Sequence, residues 1–343
     1  MKKSNQNTEK LQCSGVGHTW EYTGNVKEIN VCYHHPSLDS SNGTWRTTKV
    51  YEIRALKDIV SPKYPELHFV KAGEVGGWIE HEYNLAENAW IEPGCVIVGE
   101  GKALSNSWLA GRVMVMDNAE ISGNAFIMGS SIYENEAAGC FIGHSAKVTE
   151  NAYIDGDLVM IFGHCTITNH AMIKGMVSVF DTAFVGGSAR IEDWATIAGN
   201  AKVIDSAFIR GFSRIQDNAL VCENSVVFSE DEDSHPCVYG EAIVKGFAAI
   251  LAKARISGSA VVSGHAVIAS NAKVHGRAVI QDNAIILDDV VLYGDIQAKE
   301  NAVVMNKFET DEPDIIAGNA RITYESFKSE YSGPDKPTLA QAV

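Results

Sequence analysis

The chain has 343 residues, with 28 Lys+Arg against 43 Asp+Glu for a formal net charge of −15, and 45 % of its residues are apolar. That suffices for one large domain or two ordinary ones with a buried core. The acidic balance argues against a general nucleic-acid binder or electrostatic docking on anionic membranes, and no run of eighteen apolar residues offers a bilayer span.

The opening MKKSNQNTEK is polar and lacks the apolar core of a signal peptide, so the expected compartment is the cytoplasm. Seven cysteines without a C-x-x-C pair read as reduced thiols, several of them core fillers. Residues 1–86 form a capping segment in which Lys49–Leu56 reads as one strand. Its expected role is to cover the open end of the repetitive region that begins near Ala89. Cys13, His18, Cys32, His34 and His35 lie in this segment, but their spacing matches no recognised zinc finger, and no metal is expected.

From about Ala89 a small residue recurs every six positions, with an aliphatic two places later. Ala89-Trp-Ile91, Ala119-Glu-Ile121 and Ala125-Phe-Ile127 set the pattern. It runs from Ala171 to Ser225 and again from Ala242 to Ala302. Asn often precedes the small residue, as at Asn118, Asn200 and Asn283, and Gly precedes that Asn at Gly199. Both tolerate left-handed backbone angles, so these pairs read as corners between short strands. Gly and Asn in the hexads and many β-branched residues exclude helices. The repeat occupies 87–323, with interruptions near 134–145, 228–240 and 306–315, and a short polar tail fills 324–343. A one-residue insertion precedes Cys165, and the second interruption carries the acidic run Glu230–Asp233. A divalent cation could bind that run, although such runs are usually solvated loops.

The units Ile191-Glu-Asp-Trp-Ala195-Thr and Ile197-Ala-Gly-Asn-Ala201-Lys resemble the hexapeptide repeat of left-handed β-helix proteins. The resemblance implies an all-β fold, a left-handed parallel β-helix of about thirteen triangular coils with a small N-terminal β cap. At the usual strand spacing of ~4.8 Å that is ~60 Å of helix. The stretch Val70–Ile79, followed by Asn84–Ile91, resembles more narrowly the YdcK-like group of bacterial and prophage proteins, loosely classed as transferases.

With three hexads per coil, residues eighteen apart stack on one face. Trp90, Trp108 and Phe126 then stack outward on one face, Val96, Met114 and Ile132 on the next, and Lys102 and Glu120 on the third. Further on, one face carries Leu251, Val267, Ile285, Leu287, Val303 and Met305 over four coils. Such a face is expected to be an oligomer interface, with cover by the same chain as the alternative. The resemblance implies a homotrimer.

The resemblance also implies an acyl-CoA-dependent acyltransferase acting on a hydroxyl or amine, with a histidine as general base. The face beside the apolar one carries Arg255, Ser257, Lys273, His275 and Tyr293. On that expectation His275 is the base, and Arg255, Lys273 and Tyr293 hold the acyl-CoA cosubstrate. His164 and His170, at successive corners, are the alternatives. The other function class is a non-catalytic β-solenoid for binding or assembly, of phage origin. No Walker loop, G-x-S-x-G or H-E-x-x-H is present.

Overall fold

A computed structural model of the protein describes residues 19–33, 44–130, 138–310 and 315–323. The chain divides into two compact units, Met1–Asn151 and Ala152–Val343.

In the first unit β1 (Trp20–Tyr33) and β2 (Thr44–Ala55) form a long antiparallel hairpin, in register from Trp20–Ala55 to Tyr33–Thr44. The register shifts between Tyr22 and Val26, around Gly24. The stretch read as a strand from sequence is the end of β2. β3 (Ile59–Val60) and β4 (Phe69–Val70) form a small antiparallel ribbon. β5 (Val75–Ile79) pairs antiparallel with β2 and parallel with Val96–Ile97, which joins the hairpin to the first coil. Glu80 secures this junction. It is buried, accepts from Thr48 Oγ1 at 2.5 Å and from the Gly99 N–H at 2.7 Å, and lies 3.3 Å from Arg46. Burial pushes its carboxyl up, but those hydrogen bonds and the charges of His81 and Arg46 outweigh burial and hold it below its ordinary value.

The remaining strands of this unit stack parallel in three columns. Trp90 pairs with Trp108 and Trp108 with Phe126, as the eighteen-residue rule predicts. Lys102, Glu120 and Lys147 form the second column. In the third, Val96 pairs with Met114, but Met114 then pairs with Phe141 and not with Ile132, which lies outside the described residues. The chain between these turns is longer than the repeat, so the stacking partner moves on.

The aromatic column Trp90, Trp108 and Phe126 points out of the coil yet is only 1–2 % exposed. The segment between β3 and β4 covers it. Tyr64 meets Phe126 edge-on at 4.9 Å, and His68 meets the same ring at 4.7 Å and Trp108 at 6.2 Å. Glu92 ties the layers together, accepting from Trp108 Nε1 at 2.8 Å and sharing a 2.9 Å hydrogen bond with His68 Nδ1. Lys63 Nζ donates to the Asn151 carbonyl at 2.6 Å, and burial lowers its pKa. This outward face is therefore sealed by its own chain.

The second unit is a parallel β-solenoid whose strands stack in three columns, with each turn donating backbone hydrogen bonds to the next. Tyr153 pairs with Met172, one residue more than eighteen, which is the insertion before Cys165. Arg214 pairs with Cys237, so the chain holding the acidic run loops out while the ladder continues. Around 306–315 the step stays at eighteen, since Val291 pairs with Glu309 and Gln297 with Ile315. The small residue and the aliphatic of a hexad face inward and are fully buried along most of the unit, as at Ala272 and Val274 or Ala284 and Ile286. Each buried Val or Ile contributes roughly 1.5–3 kcal/mol. The chain is thus an all-β solenoid, with about thirteen turns over the two units. Among the described residues no helix is long and apolar enough to cross a membrane.

The corners are built from acids in left-handed conformation. Asp205, Asp217, Glu223, Asp282, Asp288 and Glu300 all have φ near +60°. Each carboxylate accepts a backbone N–H one turn further on, as Asp282 does from Glu300 at 3.0 Å and Glu300 from Gly318 at 2.9 Å. Asn rungs run beside them, such as Asn283 to Asn301 and Asn301 to Asn319. Replacing Asp282 with Ala removes the acceptor and keeps the left-handed backbone at a residue ill suited to it. A loss on the order of 1–2 kcal/mol is expected in chemical denaturation. Asp282→Gly restores the backbone freedom and should lose less. Equal losses would show that the corner angle contributes nothing.

Candidate functional site

The sheet that contains Arg255–Ile256, Lys273–Val274 and Val291–Leu292 carries the predicted histidine. Its outward positions form two columns. Arg214, Cys237, Arg255 and Lys273 are in register along the first. Tyr239, Ser257, His275 and Tyr293, two residues later on successive strands, form the second. The backbone of the second column is fixed by Tyr239 N–H donating to Ile256, Ser257 to Val274, His275 to Leu292 and Tyr293 to Thr310, all at 2.9–3.0 Å.

The strand must turn immediately after His275. Gly276 does this at φ +72°, where a Cβ would lie 2.7 Å from the Gly294 nitrogen. Glycine is required there by both conformation and space, and it places His275 at the corner of its face.

Ser257 Oγ and His275 Nδ1 are hydrogen-bond partners across adjacent turns. Ser257 is 6 % exposed, whereas His275 is half-buried. The Tyr293 ring stacks on the imidazole at 5.4 Å with 19° between planes. The His275 pKa is lowered from 6.5, first by desolvation and then by the charges of Lys273 and Arg255. The ring is therefore neutral at pH 7, the state that a general base requires. Arg255 and Lys273 are exposed and, among the described residues, have no carboxylate partner. Arg277 differs, since it is held by Asp295 through two bonds of 2.6 and 2.7 Å. Two like charges at neighbouring rungs repel each other, and an anion between them relieves that repulsion.

His275, Arg255, Lys273 and Tyr293 are thus brought onto one face. His164 and His170 are not. Both sit exposed at corners, where their backbone N–H groups donate to Asp181 and Gly187. Arg214 belongs to the first column but escapes a strict eighteen-residue count, because the loop before Cys237 lengthens that turn. Tyr239 stands eighteen residues before Ser257, so the count reaches it directly.

On another face, Val267 pairs with Ile285 and Ile285 with Val303, with Leu251, Leu287 and Met305 in the second outward position. All six residues are half-buried. The acidic run closes on itself, with Asp231 accepting from the Asp233 N–H at 3.0 Å. No group of three or more His, Cys, Asp or Glu able to hold a metal occurs among the described residues. Of the N-terminal set, Cys32 lies on β1, and Cys13, His18, His34 and His35 lie outside the described residues. The six described cysteines are free, and burial raises the Cys165 pKa to about 12, which makes it an inert core residue.

In comparisons with known proteins, no family model and no curated sequence matches the chain. The fold alone therefore defines the class, a β-solenoid with a two-column polar site on one face.

The sign of the His275 shift sets a pH dependence. As pH falls below 6.5 the unfolded chain binds this proton first, so the stability carried by the neutral ring is intact above 6.5 and declines as pH drops toward the lowered native value. In an NMR titration the His275 ring should titrate below 6.5. Lys273→Gln and Arg255→Gln should each raise the midpoint. A midpoint unchanged by both substitutions would remove the cations from the account.

Proposed function

We propose that the protein is an acyl-CoA-dependent acyltransferase that transfers an acyl group to a hydroxyl or amine. The observation that carries this reading is a neutral, half-buried histidine fixed beside two cations without carboxylate partners. His275 takes the proton of the acceptor O–H or N–H as its lone pair attacks the thioester carbonyl. The C–S bond breaks, and the thiolate of CoA leaves with the proton returned by the imidazolium. Arg255 and Lys273 hold phosphates of the cosubstrate, and Tyr293 packs beside them. On this reading the solenoid is a left-handed hexapeptide-repeat β-helix of the YdcK-like type that works in the cytoplasm. The test is calorimetric titration with acetyl-CoA and CoA. Saturable micromolar binding is expected, weakened at least ~10-fold in the Arg255→Gln/Lys273→Gln double variant. His275→Gln should keep binding and lose transfer in an acceptor screen. No heat at millimolar ligand would overturn the reading.

The half-exposed apolar face favours a second reading, a non-catalytic assembly module. That face then joins copies of the chain, with a trimer as the expected state. Leu287→Asp should lower the mass measured by light scattering to that of one chain. An unchanged mass would exclude this face as a subunit contact.

A further inference from the structure

A base needs one free lone pair at the nitrogen that meets the substrate. The imidazole of His275 has two nitrogens in unlike surroundings. Nδ1 faces the hydroxyl of Ser257, a residue that the sheet keeps almost fully buried. Nε2 has no hydrogen-bond partner among the described residues. Nε2 is therefore the nitrogen left open to a new hydrogen-bond partner, and Nδ1 is already engaged.

The neutral ring carries one proton, and the hydrogen bond at one nitrogen fixes which nitrogen holds it. If the proton sat on Nε2, the accessible nitrogen could only donate, and the ring could not act as a base there. A serine hydroxyl can accept as well as donate, so it can receive the Nδ1–H. The Ser257 Oγ has no other hydrogen-bond partner among the described residues, so the direction of this single bond decides which nitrogen of the ring holds the proton.

We infer that Ser257 is a positioning residue that accepts the Nδ1–H of His275 and so keeps the Nε2 lone pair free for the acceptor substrate. This rests on the reading of His275 as general base. The geometry around the pair supports a fixed ring. Tyr293 stacks on one face of the imidazole and Ser257 meets its Nδ1, so the ring is held at two points. The charged groups facing the ring are Arg255, on the strand of Ser257, and Lys273, on its own strand. Tyr293 is the titratable group on the following strand.

The experiment is nitrogen-15 NMR of the histidine rings in the full chain without acyl-CoA. His275 is assigned by loss of its signals in His275→Gln. The wild type should show the pattern of a neutral ring protonated on Nδ1. Ser257→Ala should shift it to a mixture of tautomers, and Ser257→Thr, which restores a hydroxyl, should return the wild-type pattern. Circular dichroism confirms that each variant is folded. A wild-type ring protonated on Nε2, or a pattern indifferent to Ser257→Ala, overturns the inference. The calorimetric titration with acetyl-CoA judges the acyltransferase reading separately, because ligand binding by Arg255 and Lys273 does not depend on the tautomer. Should Ser257→Ala fail to fold, the wild-type and Ser257→Thr spectra alone decide, since a proton on Nε2 in either is incompatible with Ser257 as acceptor.

Discussion

The solenoid of this protein depends on parallel pairing between a strand and the one a turn later. The pairing exposes unsatisfied backbone groups to the next turn, and only a strand in register can satisfy them. Register in turn requires a sharp corner after a few residues, and an L-residue reaches that geometry only in the left-handed region. Asp, Glu, Asn and Gly at the corners are the answer to that demand. The acids add a second element, since each carboxylate accepts an N–H from the following turn.

This changes what the net charge means. A formal −15 argues by its sign against a general nucleic-acid binder, but part of it is structural. Carboxylates such as Asp217, Glu223, Asp282 and Glu300 act as backbone acceptors. Against that acidic ground the cations Arg255 and Lys273, lacking carboxylate partners, are conspicuous, and they suppress protonation of His275.

The repeat, the inward columns and the faces were legible in the sequence, because hexad spacing maps onto side-chain direction without reference to distant residues. His275 and its cations were legible for the same reason. Two features were not. The cover over Trp90, Trp108 and Phe126 comes from Tyr64 and His68, which belong to no repeat. Only three-dimensional proximity through Glu92 reveals it. The partner of Met114 also escapes the count, because extra chain between turns resets the spacing while leaving the hydrogen-bonding demand intact. The bond between Ser257 and His275 lies between these cases, since their stacking was readable and their chemistry was not.

The loop between Phe228 and Cys237 shows how this architecture handles distance. Chain can be added at a corner without moving Arg214 away from Cys237 or Cys237 away from Arg255. Separations along a face are thus fixed in whole steps of about 4.8 Å, whatever the contour length between them. The molecule behaves as a graduated scale. Point substitutions change which group stands at a mark, loops change what overhangs it, and only the gain or loss of an entire turn changes the interval between two marks.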